Sequence, residues 1–379
     1  MKNAYLDNAS TTAMHPEVIA EITRIMGSVF GNPSSTHSFG RTAKVVLETS
    51  RKTIAALLNA EAREIIFTSG GTEANNFILR GAVKNLGIKR IISSRAEHHS
   101  VLTTLPVLAA EFDVQIVYVD LVNGGQPDYG QLEALLEHKT PTLVSLMHVN
   151  NETGVVLDLK KTGNLCRQHG AYFHTDTVQS IGKIEFDLKQ LPVDFIVASA
   201  HKFHGPKGVG FAYIKKYIGL PAMIYGGEQE KGVRAGTEAI HQIAGMAKAL
   251  ALSYQNLDTE REHITNIKNY LLAQLDMHFS GYKINGQPTP DGPELFYNLA
   301  NILLPLSEDK TAMILFHLDM LGVAVSRGSA CQSGSIKPSH VLEQILSAEN
   351  IKKPSLRISL SHYNTIEDID LLIEALKKI

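Results

Sequence analysis

Four short segments carry residue types that can do chemistry. In AYFHTDTVQSIGK, Asp176 ends a run that reads as buried strand, where an ionised carboxylate needs a cationic or hydrogen-bonding partner. A helix cap is the plainer use of that residue. In DFIVASAHKFHGPKGVG a strand delivers Ser199, His201 and Lys202 into a Gly/Pro-rich turn. A lysine at a buried strand end can have its pKa lowered by desolvation, which suits Schiff-base chemistry. His201 and His204 read poorly as a metal pair, because Gly205 and Pro206 spoil a helix and no third ligand stands nearby. In EIIFTSGGTEANN a strand runs into Gly70 and Gly71, and Thr72 opens a helix whose first backbone N–H groups could hold a phosphate. It is not a P-loop, since no Gly-Lys-Ser/Thr follows at the required spacing. In VSRGSACQSGSIKPSH, Cys331 stands among Gly328, Ser329, Ser333, Gly334 and Ser335, a flexible polar setting with little apolar cover for a thiol.

The first three segments acquire a joint meaning. A phosphate cradle, a carboxylate for a pyridinium nitrogen and a Schiff-base lysine are the protein groups that pyridoxal phosphate needs.

The elements that must position these groups are legible in the pattern. From about residue 60 to 215 the runs EIIFTS, KRIISS, VQIVYV, TLVSLMHV, AYFHTD, DFIVASA and VGFAYI alternate with amphipathic stretches such as TEANNFILRGAVKNLG. This predicts an α/β fold, a mostly parallel central sheet with helices on both faces, and ligands of such sheets sit at the carboxyl ends of strands. Beyond Thr237 a long helical stretch to about Leu275 reads as a bridge. After it come strand-like NILLPL, a helix near Lys310 to Leu321, short VAVS, the Cys331 loop, the strand SLRISLS and a last helix from about Ile366, together a smaller α+β domain.

Composition narrows the function. The chain has 379 residues, 36 Lys+Arg against 38 Asp+Glu and a net charge of -2, with no basic run to track nucleic acid or an anionic membrane. No apolar run approaches the roughly 18 residues of a membrane span, so the expectation is a cytoplasmic protein. Two cysteines, Cys166 and Cys331, exclude a disulfide framework and a thiolate-rich metal site. Cys166 reads as a packing residue on the apolar side of a helix.

The ordered motifs YLDNASTT, GNPSSTHSFGR, IIFTSGGTEANN, AEHHSV, MHVNNETG, FHTDTVQSIGK, SAHKFHGPKG, RAGTE, SRGSACQSGSIKPSHVL and LRISLS cover nearly the whole chain. On them the chain resembles the cysteine desulfurases, pyridoxal-phosphate enzymes of the class-V aminotransferase family, in the branch with the longer catalytic loop. The resemblance implies a fold-type-I transferase with a large cofactor domain over residues 12–255. A small domain, made of residues 1–11 and 256–379, would carry the cysteine loop.

It further implies that Lys202 forms the Schiff base, Asp176 pairs with the pyridine N–H, Gln179 reaches the ring hydroxyl and His98 stacks on the ring and passes protons. By the same resemblance Asn151 would lie by ring and substrate, Gly71, Thr72, Ser199 and His201 would bind the phosphate, and Thr237 would reach it from the other subunit of a homodimer. Arg357 would grip the carboxylate of L-cysteine, and Cys331 would take the sulfur as a persulfide for an acceptor or iron–sulfur scaffold protein. No intrinsic metal is implied, although Cys331 would meet a nascent cluster during transfer. Each residue has a plainer alternative: His98 as a surface histidine, Asn151 as a turn former, Thr237 as a helix N-cap, Arg357 as a strand residue paired with a carboxylate. The rival functions are a selenocysteine lyase, a scaffold that has lost catalysis and an aminotransferase. Cluster assembly and transfer-RNA thiolation are both open as destinations of the sulfur. Glu228, Gln332 and Ser361 depart from the family pattern without removing a reacting group.

Overall fold

The computed structural model describes residues 3–287, 295–328 and 338–379. All seven β-branched runs become strands of one sheet, ordered Ile65–Thr68, Gly210–Ile214, Phe195–Ser199, Tyr172–Asp176, Thr142–Ser145, Arg90–Ser94 and Gln115–Val119. Only Gly210–Ile214 runs antiparallel to its neighbours. Alternation along each strand loads both faces. Ile65, Phe67, Ile196, Ala198, Phe211 and Tyr213 pack with the helices Pro16–Ser28, Ser38–Leu57, Leu159–Gln168 and Ile240–Gln255. Ile66, Phe195, Val197, Ala212 and Ile214 pack with Gly71–Asn85 and Thr104–Phe112 on the other side. A strand buried on both faces reads as a continuous apolar run, which is why these segments stood out. Cys166 lies in the first of these cores, and burial pushes its thiol up, so it packs and does not react.

A separate core joins Ala4 and Leu6 to the helices Leu257–His278 and Ile366–Leu376 and to the sheet Lys283–Ile284, Leu299–Leu303 and Ser355–Ser359. The chain start enters this body as a strand, Ala4–Tyr5, paired in parallel with Val323–Ala324. The long helical stretch is divided: Ile240–Gln255 stops and Leu257–His278 starts around Asn256, whose ψ of 7° departs from the helix. Asparagine competes with the helical backbone for hydrogen bonds, and the two pieces serve different cores, the first against Pro16–Ser28 and Ser38–Leu57, the second against Ile366–Leu376. Among the described residues no helix is long and apolar enough to cross a membrane.

One loop outside the sheet needs a special anchor. Glu230 and Lys231 adopt left-handed backbone, φ 45° and 60°, which is strained for residues with a Cβ. The Glu230 carboxylate is buried against Arg51, Oε1 to Nη2 2.7 Å and Oε2 to Nη1 2.8 Å, and Oε2 also accepts from Phe67 N at 2.9 Å. The Arg51 guanidinium lies 4.4 Å from the Phe67 ring centre. This pair ties the loop leading to Thr237 onto the edge strand of the sheet. Glu230→Ala leaves the buried Arg51 with only the partly exposed Glu48 carboxylate at 3.3 Å and the Ile65 carbonyl as partners, and is expected to cost about 3 kcal/mol. Urea denaturation checks this; a midpoint equal to wild type would show that the pair does not anchor the loop.

Candidate active site

The carboxyl ends of three adjacent parallel strands deliver the chemistry. Tyr172–Asp176 ends in Asp176, Phe195–Ser199 runs into the turn with His201 and Lys202, and Thr142–Ser145 leads to Asn151. Around them lies a cavity of about 230 Å³ lined by ten of the residues singled out from the sequence: Gly71, Thr72, His98, Asn151, Asp176, Gln179, Ser199, His201, Lys202 and Arg357. They come from segments spread over most of the chain. A larger hollow, about 640 Å³, lies by Phe279 and Tyr282 but brings together only Asp276 and Lys283 as charged groups, so the smaller one holds the chemistry.

The Asp176 carboxylate is 7% exposed and accepts from Asn75 Nδ2 at 2.8 Å and Val178 N at 3.0 Å. The Lys202 amine is directed to the carbonyls of Ala9 and Ser10, at 2.6 and 2.8 Å, and Gln179 Nε2 shares the Ala9 carbonyl at 2.9 Å. Burial, with Lys202, Lys207 and Lys183 adding to it, lowers His201 to about 4, so this ring is neutral at ordinary pH; its Nδ1 meets Thr11 Oγ1 at 3.1 Å. Lys183, further along the Asp176 segment, is drawn down to about 7 by burial and by Lys202.

The turn before the helix Gly71–Asn85 is shaped for close approach. Gly70 has φ 150°, and a Cβ on Gly71 would come 2.7 Å from Val178 Cγ2. Gly210 of the neighbouring strand lies so close that a Cβ there would be 2.8 Å from Gly70 Cα. No side chain caps the helix start. Glu73, which could have done so, instead takes Ser69 N at 2.8 Å and Arg234 Nε at 2.8 Å. The turn therefore leaves its N–H groups for an anion beside Ser199 and His201. Buried carboxylate, amine at the strand end and anion cradle are a donor set that fits pyridoxal phosphate.

Arg357, 1% exposed, closes the cavity from the smaller body. Its Nη2 donates to Asp7 Oδ1 at 2.7 Å and Ser10 Oγ at 2.5 Å, and Nη1 to the Asn151 carbonyl at 3.0 Å. Its Nε has no hydrogen-bond partner among the described residues. His98 caps the short helix His99–Leu102, with Nδ1 2.8 Å from Ser100 Oγ and 3.1 Å from Ser100 N. Burial lowers its pKa, Asp176 works against that and Lys202 with it.

Thr237 is not brought into this cavity. It is exposed and lines another hollow with Ser69, Gly208 and Arg234. Cys331 lies outside the described residues. The chain on either side of it is held at the site: Ser326 exchanges backbone hydrogen bonds with Arg357, Ser339 Oγ bonds Glu152 Oε2, and His340 Nε2 meets the Glu97 carbonyl at 2.9 Å. Sequence reasoning assigned no role to Asp7, Ser10, Asn75 or Ser100. All four stand inside or beside quoted motifs, YLDNASTT, TEANN and AEHHSV, but their partners are remote in the chain.

The buried histidine beneath Asp176 generates a prediction. His174 Nδ1 meets Ser145 Oγ at 2.9 Å, and burial lowers its pKa from 6.5 to about 4. The unfolded chain protonates it first as pH falls, so His174 contributes stability that is complete above pH 6.5 and is lost between 6.5 and 4. Glu97, raised to about 8 by burial, acts in the opposite sense, so the difference between wild type and His174→Gln isolates the histidine. That difference should shrink by about 1.4 kcal/mol for each pH unit of acidification in the window. A difference constant from pH 7 to 4.5 in urea titrations would contradict the neutral, buried assignment.

Comparison with known proteins adds to the geometry. Residues 4–372 match the family model described as aminotransferase class-V. A relative from Dictyoglomus turgidum, cysteine desulfurase IscS, is 38% identical over 380 residues, covering 100% of this chain and 94% of the relative. Among solved structures, a NifS-like protein superposes with a TM-score of 0.90 at 31% identity, covering 100% of this chain and 99% of the other. Another, SspA in complex with cysteine, gives 0.80 at 29% identity, covering 96% and 100%.

Proposed function

This chain belongs to the class-V aminotransferase family, and from that premise we propose that it is a cysteine desulfurase, converting L-cysteine to L-alanine with its sulfur captured on Cys331. The observation that carries the reading is the meeting of Lys202, Asp176, His98 and a buried Arg357 around one cavity of about 230 Å³. Pyridoxal phosphate, when bound, supplies an electron sink for chemistry at the carbon bearing the substrate amine. Lys202 would hold it covalently, Asp176 and Gln179 would address its ring nitrogen and hydroxyl, and His98 would cover its face. Asn151 would lie by ring and substrate. Gly71, Thr72, Ser199 and His201 would take the phosphate. Thr237, exposed and outside its own cavity, would reach the phosphate of a second copy in a two-fold dimer.

The remaining steps belong to side chains. Arg357 grips the cysteine carboxylate; the planar guanidinium gives two parallel hydrogen bonds where lysine gives a point charge. The Lys202 amine takes the α-proton. The Cys331 thiolate attacks the substrate sulfur: a sulfur–sulfur bond forms, the carbon–sulfur bond breaks with its electrons returning to carbon, and that carbon takes a proton to become the methyl of alanine. His98 would give that proton from Nε2. A persulfide remains on Cys331, the form in which sulfur would pass to an acceptor or scaffold protein in iron–sulfur assembly or other thio-cofactor synthesis. We infer a large domain, residues 12–255, holding the cofactor groups and a small one, residues 1–11 and 256–379, whose Arg357 lines the same cavity.

Alanine release from L-cysteine, with pyridoxal phosphate and a reductant present, tests the reading. Lys202→Ala should abolish it. Arg357→Lys should raise KM for L-cysteine by about 10- to 100-fold, the value of charge-assisted hydrogen bonds lost at a buried site. An unchanged KM in that variant would remove Arg357 from substrate binding, and undiminished turnover in Cys331→Ala would move the reading to a direct-eliminating lyase.

A further inference from the structure

Asn75 stands in the second turn of the helix Gly71–Asn85, 1% exposed, on the wall of the cavity. Its Nδ2 lies 2.8 Å from Asp176 Oδ2 and 2.8 Å from Ser100 Oγ. A carboxylate only accepts, so the amide's orientation is settled: nitrogen toward Asp176, with one N–H for each partner. Ser100 Oγ, accepting from Asn75, has its own proton to give. The acceptor within reach is His98 Nδ1 at 2.8 Å. The Ser100 backbone N–H points at the same Nδ1 from 3.1 Å, and an N–H can only donate. Both contacts require a lone pair on Nδ1.

We propose that Asn75 is a positioning residue that, through Ser100, holds His98 as the Nε2–H tautomer while fixing the Asp176 carboxylate with its other hydrogen. The inference rests on the desulfurase reading only where it makes the Nε2 proton useful; the hydrogen-bond chain itself does not depend on it. Charge alone does not choose the tautomer. Burial, Lys202, His99 and His340 disfavour the imidazolium and Asp176 favours it, so these groups decide whether the ring is charged and not which nitrogen carries the single proton. The network decides that. Asn75 Oδ1 has no hydrogen-bond partner among the described residues, and an unpaired buried carbonyl lowers stability. An amide kept at that cost serves the site and not the core.

The test uses full-length protein labelled with 15N in histidine, with His98 assigned by the signals missing from His98→Gln. At neutral pH the wild type should show Nδ1 bare and Nε2 protonated. Ser100→Ala removes the hydroxyl and Asn75→Leu the amide. In each, the 3.1 Å contact from the Ser100 backbone N–H remains, so the two His98 nitrogen shifts should move part of the way toward one another as the second tautomer begins to fill, and alanine formation should fall about five- to tenfold, the value of one hydrogen bond. A protonated Nδ1 in the wild type overturns the proposal, and so do wild-type nitrogen shifts in the variants. Ser100→Ala deletes a single oxygen and carries the test alone if Asn75→Leu does not fold. If the wild type makes no alanine from cysteine, the desulfurase reading fails while the nitrogen shifts still decide the tautomer.

Discussion

The buried guanidinium of Arg357 is the constraint on which the rest depends. A cation at 1% exposure is costly unless charge and hydrogen bonds compensate it, and removing one partner of a buried pair costs about 3–5 kcal/mol. Its compensation is drawn from two parts of the chain remote from its own strand Ser355–Ser359: Asp7 and Ser10 near the start, and the Asn151 carbonyl after a central strand. Satisfying Arg357 therefore fastens the smaller body onto the carboxyl edge of the large sheet. The N-terminal segment held this way also supplies the Ala9 and Ser10 carbonyls that receive the Lys202 amine. The proposed substrate grip and the proposed cofactor lysine thus depend on the same N-terminal segment.

The same economy governs the acidic side of the cavity. Asp176 lies at a strand end where its charge would be costly, and Asn75 and the Val178 N–H answer it. Asn75 continues into Ser100 and His98, so one amide bears on the carboxylate and the imidazole together. His201 and His174 are held neutral by burial. The formal charges facing the cavity are then few: the Asp176 carboxylate, the Lys202 amine at a strand end and the Arg357 guanidinium.

Legibility in the sequence followed the range of the interactions. The seven strands were readable because burial on both faces makes each a β-branched run, and Asp176 and Lys202 because they leave such runs at the edge where ligands bind. Asp7 and Arg357 are 350 positions apart, and Arg51 and Glu230 are 179 apart, distances over which periodicity carries no information. Asn75 looked like any polar residue in the first part of a helix until its two partners were placed. The long helical stretch concealed a break at Asn256 because both halves keep apolar faces and only the change of partner core separates them. Ordered motifs pointed to Thr237 and Cys331, whose proposed work depends on a second copy and an acceptor.

In the proposed reaction sulfur leaves L-cysteine onto Cys331, with Arg357 holding the substrate and Lys202 moving its proton. The most direct measurement is mass spectrometry of the peptide containing Cys331 after a single turnover with limiting L-cysteine and no reductant. This peptide should gain one sulfur atom, in an amount equal to the alanine formed, and Cys166, buried in the large core, should gain none. Alanine formed with sulfur released to solution, or sulfur found on any other residue, would contradict it.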